Sequence, residues 1–199
     1  MTEEKLPEFG KMEYWDEGYK TGEAPPEWFI TYKTFSKFVR KHIPKDKPVL
    51  VIGCGTSSLS YEMYEEGYTQ MSSMDYSPEA IEEMKKKYPQ LKWSVMDVRK
   101  MEYPDASIDS IVDKGTLDCL FFLDETNVEV NKMLSEVSRV LKPGGHYVVV
   151  TCGHPMQRTD IFLGDPNYKW NISDWKEYLP PDESFTHPSA YVYCLTKEE

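Results

Sequence analysis

The stretch 49-VLVIGCGTSS-58 decides the fold. Four apolar residues are followed at once by Gly-Cys-Gly and then by three small hydroxyl residues. A short run that is entirely apolar is typical of a strand buried on both faces. Two glycines allow a tight turn and let a ligand approach the backbone with no Cβ in the way. The stretch therefore predicts a strand, a ligand-binding turn and a helix in succession.

Strands and helices alternate on both sides of this stretch. Further strands are predicted at 71–74, 91–96, 110–112 and 146–151, and helices at 28–42, 57–66, 77–88 and 128–141. This alternation predicts a parallel sheet with helices on both faces, which binds ligands beyond the carboxyl ends of its strands. The last fifty residues differ, and the alternating run at 190–196 predicts that two antiparallel strands close one edge.

Composition narrows the class of protein. The chain has 199 residues, 40% of them hydrophobic, and a formal net charge of −11, which predicts one globular domain. An acidic chain repels phosphate backbones, so nucleic acid is not expected, and a cationic ligand or a basic protein partner is favoured. An acidic surface also serves solubility, so this indication leaves both explanations open.

Neither secretion nor membrane insertion is expected. The N-terminus is charged and unlike a signal peptide, and no apolar run approaches the ~20 residues that a membrane span needs. Four widely spaced cysteines fit neither a zinc site nor a disulfide framework, so we expect reduced thiols, no metal and a cytoplasmic location. They are Cys54, Cys119, Cys152 and Cys194. The oligomeric state stays open.

The residues after the glycine turn indicate which ligand it binds. A dinucleotide fingerprint needs a third glycine, and Ser58 stands in its place. Asp75 lies at the end of the second strand, where a carboxylate can accept both hydroxyls of a ribose. Asp97 ends the third strand and could accept the amine of an adenine, while Val98 offers a backbone N–H. Two carboxylates suit a cationic adenine nucleoside better than a pyrophosphate, and this favours S-adenosylmethionine.

Several motifs together resemble those of class I S-adenosylmethionine-dependent methyltransferases. They are VLVIGCGTS, SSMDYSPEAI, WSVMDVRKM, DSIVDKGTLD and SEVSRVLKPGG. The segments EYWDEGY (13–19), PPEWF (25–29) and DKGTLD (113–118) are similar to those of the group that includes the lysine methyltransferases of translation elongation factor 1-alpha. The motifs cover roughly residues 9 to 152, and little after Thr151 carries the resemblance.

The resemblance implies a fold and a division of the chain. The fold is α/β, a three-layer, doubly wound, mostly parallel seven-stranded sheet of the Rossmann-like methyltransferase type with an antiparallel C-terminal edge. We expect a single domain over 1–199. Within it, 1–46 would form a helical N-terminal cover, 47–151 the cofactor-binding core, and 152–199 the edge strands and loops.

The resemblance also implies a set of cofactor-binding residues. Those implied or placed at the turn are Trp15, Tyr19, Trp28, Gly53, Cys54, Gly55, Asp75, Tyr76, Asp97, Val98 and Lys114. The aromatic residues would exclude water and tolerate a sulfonium, although plain packing of an N-terminal helix would also explain them. Lys114 is harder to explain, because a cation near a sulfonium is unfavourable; its stem, its backbone or the methionine carboxylate could make the contact.

No residue is singled out as the catalytic group. Lys114, Thr116 and Asp118 are candidates, and Thr116 could equally cap the helix after the fourth strand. The function expected is transfer of a methyl group from S-adenosylmethionine, with S-adenosylhomocysteine as product, to a lysine of a basic protein such as a translation elongation factor. A small-molecule methyltransferase and a cofactor-binding module without turnover are the alternatives.

Overall fold

A seven-stranded sheet organises the chain. The computed structural model describes residues 8–123, 126–179 and 189–198; the remaining parts of the predicted N-terminal cover and C-terminal edge lie outside these ranges. The strands are β1 (Val49–Ile52), β2 (Met71–Asp75), β3 (Lys92–Val95), β4 (Ile108–Lys114), β5 (Leu141–Thr151), β6 (Trp170–Tyr178) and β7 (Ala190–Lys197). They lie in the order β3-β2-β1-β4-β5-β7-β6.

Seven α-helices accompany the strands of the described chain. They are α1 (Met12–Thr21), α2 (Tyr32–His42), α3 (Leu59–Glu65), α4 (Pro78–Lys87), α5 (Thr116–Leu120), α6 (Val128–Val140) and α7 (Pro155–Leu163). The hydroxyl of Ser77 accepts the N–H of Ala80 at 3.2 Å and so caps α4, as the Ser-Pro pair predicts. The expectation of a doubly wound α/β sheet is confirmed.

Strand β1 lies between the two hydrophobic cores. It pairs in parallel with β2 on one side and with β4 on the other. Val49 and Val51 pack in the core on one face of the sheet, and Leu50 and Ile52 pack in the core on the other. The all-apolar sequence of β1 follows from this double burial, because successive side chains of a strand point to opposite faces.

The C-terminal edge is a pair of antiparallel strands, as predicted. The alternating run at 190–196 forms β7, which lies between β5 and β6 and runs antiparallel to both. The outermost strand is therefore β6, which points in the same direction as β5. Helix α7 is an element that the sequence patterns did not predict; it begins at Pro155 and is capped by the ring of His154.

The N-terminal part reaches across the carboxyl ends of the strands. Helix α2 begins at Tyr32, later than predicted, because Phe29 has a φ of 61° and breaks the helical pattern. Residues 22–31 instead form an irregular segment of turns and bends, which we call the strap, between α1 and α2. The strap and α1 form a wall above the glycine turn and so position the site described next.

Candidate functional site

A cleft opens at the carboxyl ends of β1, β2, β3 and β4, beneath α1 and the strap. It encloses about 930 Å³ of space, part of it open to solvent. All the residues that the sequence predicts to bind the cofactor line this cleft, and so does Thr116. Asp118 does not. The topology therefore brings together residues that are spread over a hundred positions of the chain.

The glycine turn is shaped by its contact with the start of α5. Gly53 and Gly55 have φ values of 54° and 48°, which side chains rarely adopt. A Cβ on Gly53 would lie 1.9 Å from the Thr116 hydroxyl, and one on Gly55 would lie 2.7 Å from the Tyr19 hydroxyl. Both glycines therefore leave room for neighbouring side chains as well as for a ligand.

Asp75 is a buried carboxylate that faces the cleft. One oxygen accepts the N–H of Gly55 at 2.8 Å, and the other accepts the N–H of Ser77 at 2.9 Å. Each carboxylate oxygen can accept more than one hydrogen bond, so Asp75 can still receive the two hydroxyls of a ribose. Burial raises the pKa of Asp75 to about 6, although the two N–H groups work against that rise.

Asp97 lines the cleft, but its oxygens are engaged by Arg99. The backbone N–H and the guanidinium of Arg99 donate to it over 2.6–3.1 Å, and the bonds from Arg99 hold its pKa below the usual range against the effect of burial. An adenine amine would have to share these oxygens with the guanidinium. The sequence could have indicated this pairing, because Arg99 follows Asp97 by only two positions.

Aromatic rings from α1, the strap and the segment before them form one wall of the cleft. Trp15 stacks near Tyr19 with ring centroids 6.0 Å apart, and it contacts Trp28 edge to face at 5.6 Å. Phe9 contacts Trp28 at 5.4 Å and joins the same group. The sequence reasoning did not assign Phe9 to the site. Such rings can exclude water from a cofactor and tolerate a cation on their faces.

Lys114 is paired with a residue that sequence reasoning missed. Its amine lies 2.9 Å from Oε2 of Glu27, in the strap, and donates to the carbonyl of Trp28 at 3.4 Å. Glu27 is the only acidic residue of the PPEWF segment, and this was the sequence signal that could have identified it as the partner of Lys114. The pair removes the difficulty that an uncompensated cation would raise in a sulfonium site.

The two remaining catalytic candidates make structural contacts. The Thr116 hydroxyl donates to the carbonyl of Ile52 at 3.2 Å. The first N–H groups of α5 are capped instead by Asp113, which accepts those of Thr116 at 2.9 Å and Leu117 at 3.2 Å. Asp118 lies behind the cleft, where it pairs with Arg158 of α7 at 2.9 Å. These contacts favour structural roles for both candidates.

The charges around the cleft do not suit a pyrophosphate. Two cations line it, Lys114 and Arg99. Lys114 is paired with Glu27, and Arg99 is paired with Asp97 and Glu129. A phosphate would have to displace one of these carboxylates. Nor do the described residues include a group of three or more His, Cys, Asp or Glu placed to hold a metal ion.

Comparison with known proteins agrees with this geometry. Residues 43–187 match the family described as "Methyltransferase domain". The chain belongs to this methyltransferase family. Among its relatives is "EEF1A lysine methyltransferase 4" of Mus musculus, 35% identical over 182 residues, which cover 85% of this chain and 71% of the relative. The "eEF1A lysine and N-terminal methyltransferase" of Homo sapiens is 39% identical over 151 residues, which are 72% of this chain and 22% of that longer protein.

The fold of this methyltransferase is shared with solved structures of low sequence identity. A SAM-dependent methyltransferase of Methanosarcina mazei superposes with a TM-score of 0.69 at 17% identity, over 81% of this chain and 97% of the other. The resemblance to the elongation factor methyltransferases is thus confirmed by sequence, and the fold by structure. In the part of the chain that the structure describes, no helix is long and apolar enough to cross a membrane.

Proposed function

We propose that this methyltransferase binds S-adenosylmethionine in the cleft and methylates a lysine side chain of elongation factor 1A. The observation that carries the cofactor assignment is the buried Asp75 carboxylate, which faces the cleft with acceptor capacity left on both oxygens. The relatives whose names specify lysine methylation of this factor support the choice of substrate.

Different residues around the cleft bind different parts of the cofactor. Asp75 receives the ribose hydroxyls, and Asp97 with the backbone of Val98 faces the purine. The glycine turn lets the backbone approach the amino-acid end. Trp15, Tyr19 and Trp28 cover the cleft and exclude water, which strengthens the electrostatic interactions inside it.

The chain contributes mainly orientation to the reaction. When bound, S-adenosylmethionine supplies a methyl group on a cationic sulfur, which is already a strong electrophile. The walls of the cleft hold this group in line with the incoming amine and keep water away. We expect solvent to take the proton of the target lysine, because the amine of Lys114 and the hydroxyl of Thr116 are engaged in other contacts.

The acidic character of the chain supports a basic region of the substrate as the docking partner. A net charge of −11 steers a positively charged surface toward the protein and disfavours nucleic acid. A cytoplasmic location is part of the proposal, because translation factors work there.

Incubation with methyl-labelled S-adenosylmethionine and unmodified elongation factor 1A tests the proposal. We expect label in the factor, mapped to a lysine by mass spectrometry, and S-adenosylhomocysteine in equal amount. The Asp75→Ala variant, checked for folding, is the matched control and should transfer little label. Label in small molecules alone would indicate the small-molecule alternative, and cofactor binding without any S-adenosylhomocysteine would indicate a module without turnover.

A further inference from the structure

We propose that Glu27 sets the charge of the cofactor cleft. Its carboxylate neutralises Lys114, so that the cleft accepts a cationic sulfonium as readily as a neutral thioether. This inference rests on the proposed function, since it concerns the same cleft. It assigns a positioning role to a strap residue that does not itself line the cleft.

Lys114 creates the need for such a partner. It lies at the carboxyl end of β4, it lines the cleft, and its side chain is only 7% exposed. Little solvent is therefore available to screen its charge. A cation in these surroundings repels a sulfonium over several ångströms, because charges interact more strongly where water is excluded.

Glu27 is held so that its free oxygen points at this cation. Its Oε1 accepts the hydroxyl of Ser57 at 2.8 Å, and from Ser58 it accepts the N–H at 3.1 Å and the hydroxyl at 3.3 Å. Its Oε2 lies 2.9 Å from the amine of Lys114 at angles outside those of a hydrogen bond. The first oxygen ties the strap to the start of α3, and the second supplies charge.

Two ligands that differ in charge distinguish the two roles of Glu27, which are to fasten the strap and to neutralise Lys114. S-Adenosylmethionine and S-adenosylhomocysteine share the adenosine and the amino-acid end, and they differ at sulfur by one methyl group and one positive charge. A variant that only loosens the strap weakens the binding of both ligands to the same extent. A variant that leaves the charge of Lys114 uncompensated weakens the binding of the cationic ligand more.

Isothermal titration of the purified full chain with both ligands tests the inference. Glu27→Gln keeps an oxygen for the serines and removes the charge. We expect its Kd for S-adenosylmethionine to rise about tenfold more than its Kd for S-adenosylhomocysteine. The double variant Glu27→Gln/Lys114→Gln removes both charges, and we expect its ratio of the two Kd values to return to that of the wild type.

Control variants exclude indirect effects. Glu66→Gln removes a partly exposed carboxylate, which pairs with Arg40 outside the cleft, and should leave the ratio unchanged. Lys114→Gln alone should improve binding of S-adenosylmethionine relative to S-adenosylhomocysteine, and it provides a test even if Glu27→Gln fails to fold.

The outcomes that overturn the inference are distinct from those that overturn the proposed function. Equal weakening of both ligands by Glu27→Gln, or a double variant whose ratio stays shifted, contradicts the charge role while the cofactor site stands. A wild-type protein that binds neither ligand contradicts the proposed function first, and the inference with it.

Discussion

Asp75 ties the glycine turn to the start of α4 through its bonds with Gly55 and Ser77. Its role in binding predicts a measurable loss in the Asp75→Asn variant. An amide lacks the charge and one acceptor, so we expect the affinity for S-adenosylmethionine to fall by ~1–3 kcal/mol. Titration calorimetry measures this, and Asp109→Asn, which breaks a pair with Lys142 outside the cleft, is the control.

The same carboxyl group predicts a pH dependence of binding. The pKa of Asp75 is raised to about 6, so the carboxylate takes up a proton as the pH falls through 6. A protonated carboxyl accepts hydrogen bonds poorly, and the Kd for the cofactor should therefore rise below pH 6 and level off above it. The Asp75→Asn variant has no such group and should show a flatter profile. A wild-type Kd that is constant from pH 8 to 5 would contradict this assignment.

The turn between β1 and α3 depends on the helix that faces it. In Gly53→Ala, the left-handed backbone costs ~1–2 kcal/mol, and the contact with the Thr116 side chain adds ~1–3 kcal/mol through overpacking. We expect urea unfolding to show this loss together with weaker cofactor binding. Gly22 has a φ of 75°, and no atom lies within 4 Å of a Cβ added there. Gly22→Ala should therefore show only the cost of the left-handed backbone, with normal cofactor binding.

A second variant checks the cause. If the hydroxyl and methyl of Thr116 create the steric conflict, Gly53→Ala/Thr116→Ala should recover part of the lost stability. Equal unfolding free energies for the single and the double variant would show that the backbone conformation alone is responsible.

The C-terminal part of the chain is joined to the cofactor-binding core by a buried ion pair. Arg158 of α7 donates to Asp118 at 2.9 Å and to Thr151 at 3.1 Å, and both members of the pair are about nine-tenths buried. In Arg158→Met, the carboxylate of Asp118 is left buried without its cation, and we expect a loss of about 3–5 kcal/mol in unfolding free energy.

Urea denaturation of a small set of variants tests this expectation. The double variant Asp118→Asn/Arg158→Met removes both charges and should be less destabilised than Arg158→Met alone. Lys86→Met removes an exposed pair with Glu82 and should leave the unfolding transition unchanged. A double variant as unstable as Arg158→Met would show that packing, rather than the stranded charge, causes the loss.

The exposed aromatic rim of the cleft predicts where the protein substrate docks. Phe122 is 59% exposed and contacts Phe9, which lines the cleft, with ring centroids 5.1 Å apart. In Phe122→Ser, we expect the KM for elongation factor 1A to rise about fivefold or more, as for an aromatic interface residue worth ~1 kcal/mol. The Kd for S-adenosylmethionine should not change. Leu163→Ser, at the far end of α7, is the exposed control.

Most of the fold could be predicted because it depends on local patterns. The apolar run of β1, the glycines after it and the Ser-Pro start of α4 each specify their own element, and the alternation of elements specifies the sheet. Helix α7 was missed because its apolar residues do not repeat at helical spacing: Ile161, Phe162 and Leu163 are consecutive, and only Phe162 is buried. The start of α2 was misplaced because the sequence gives no sign of the left-handed backbone at Phe29.

The sequence patterns alone were enough for the doubly wound sheet, its C-terminal edge and the glycine turn with Asp75 and Asp97, because strand ends and turns are marked within a few residues. The resemblance to known methyltransferases was needed for the aromatic residues and for Lys114. Only the tertiary structure revealed that Arg99 engages Asp97, that Glu27 faces Lys114 and that Asp118 belongs to Arg158 rather than to the cleft. The pairings of Glu27 and Asp118 depend on how the strap, β4 and α7 pack together, whereas that of Asp97 is local. A charged residue is satisfied by whichever partner that packing brings within reach, and the sequence pattern records the charge but not the partner.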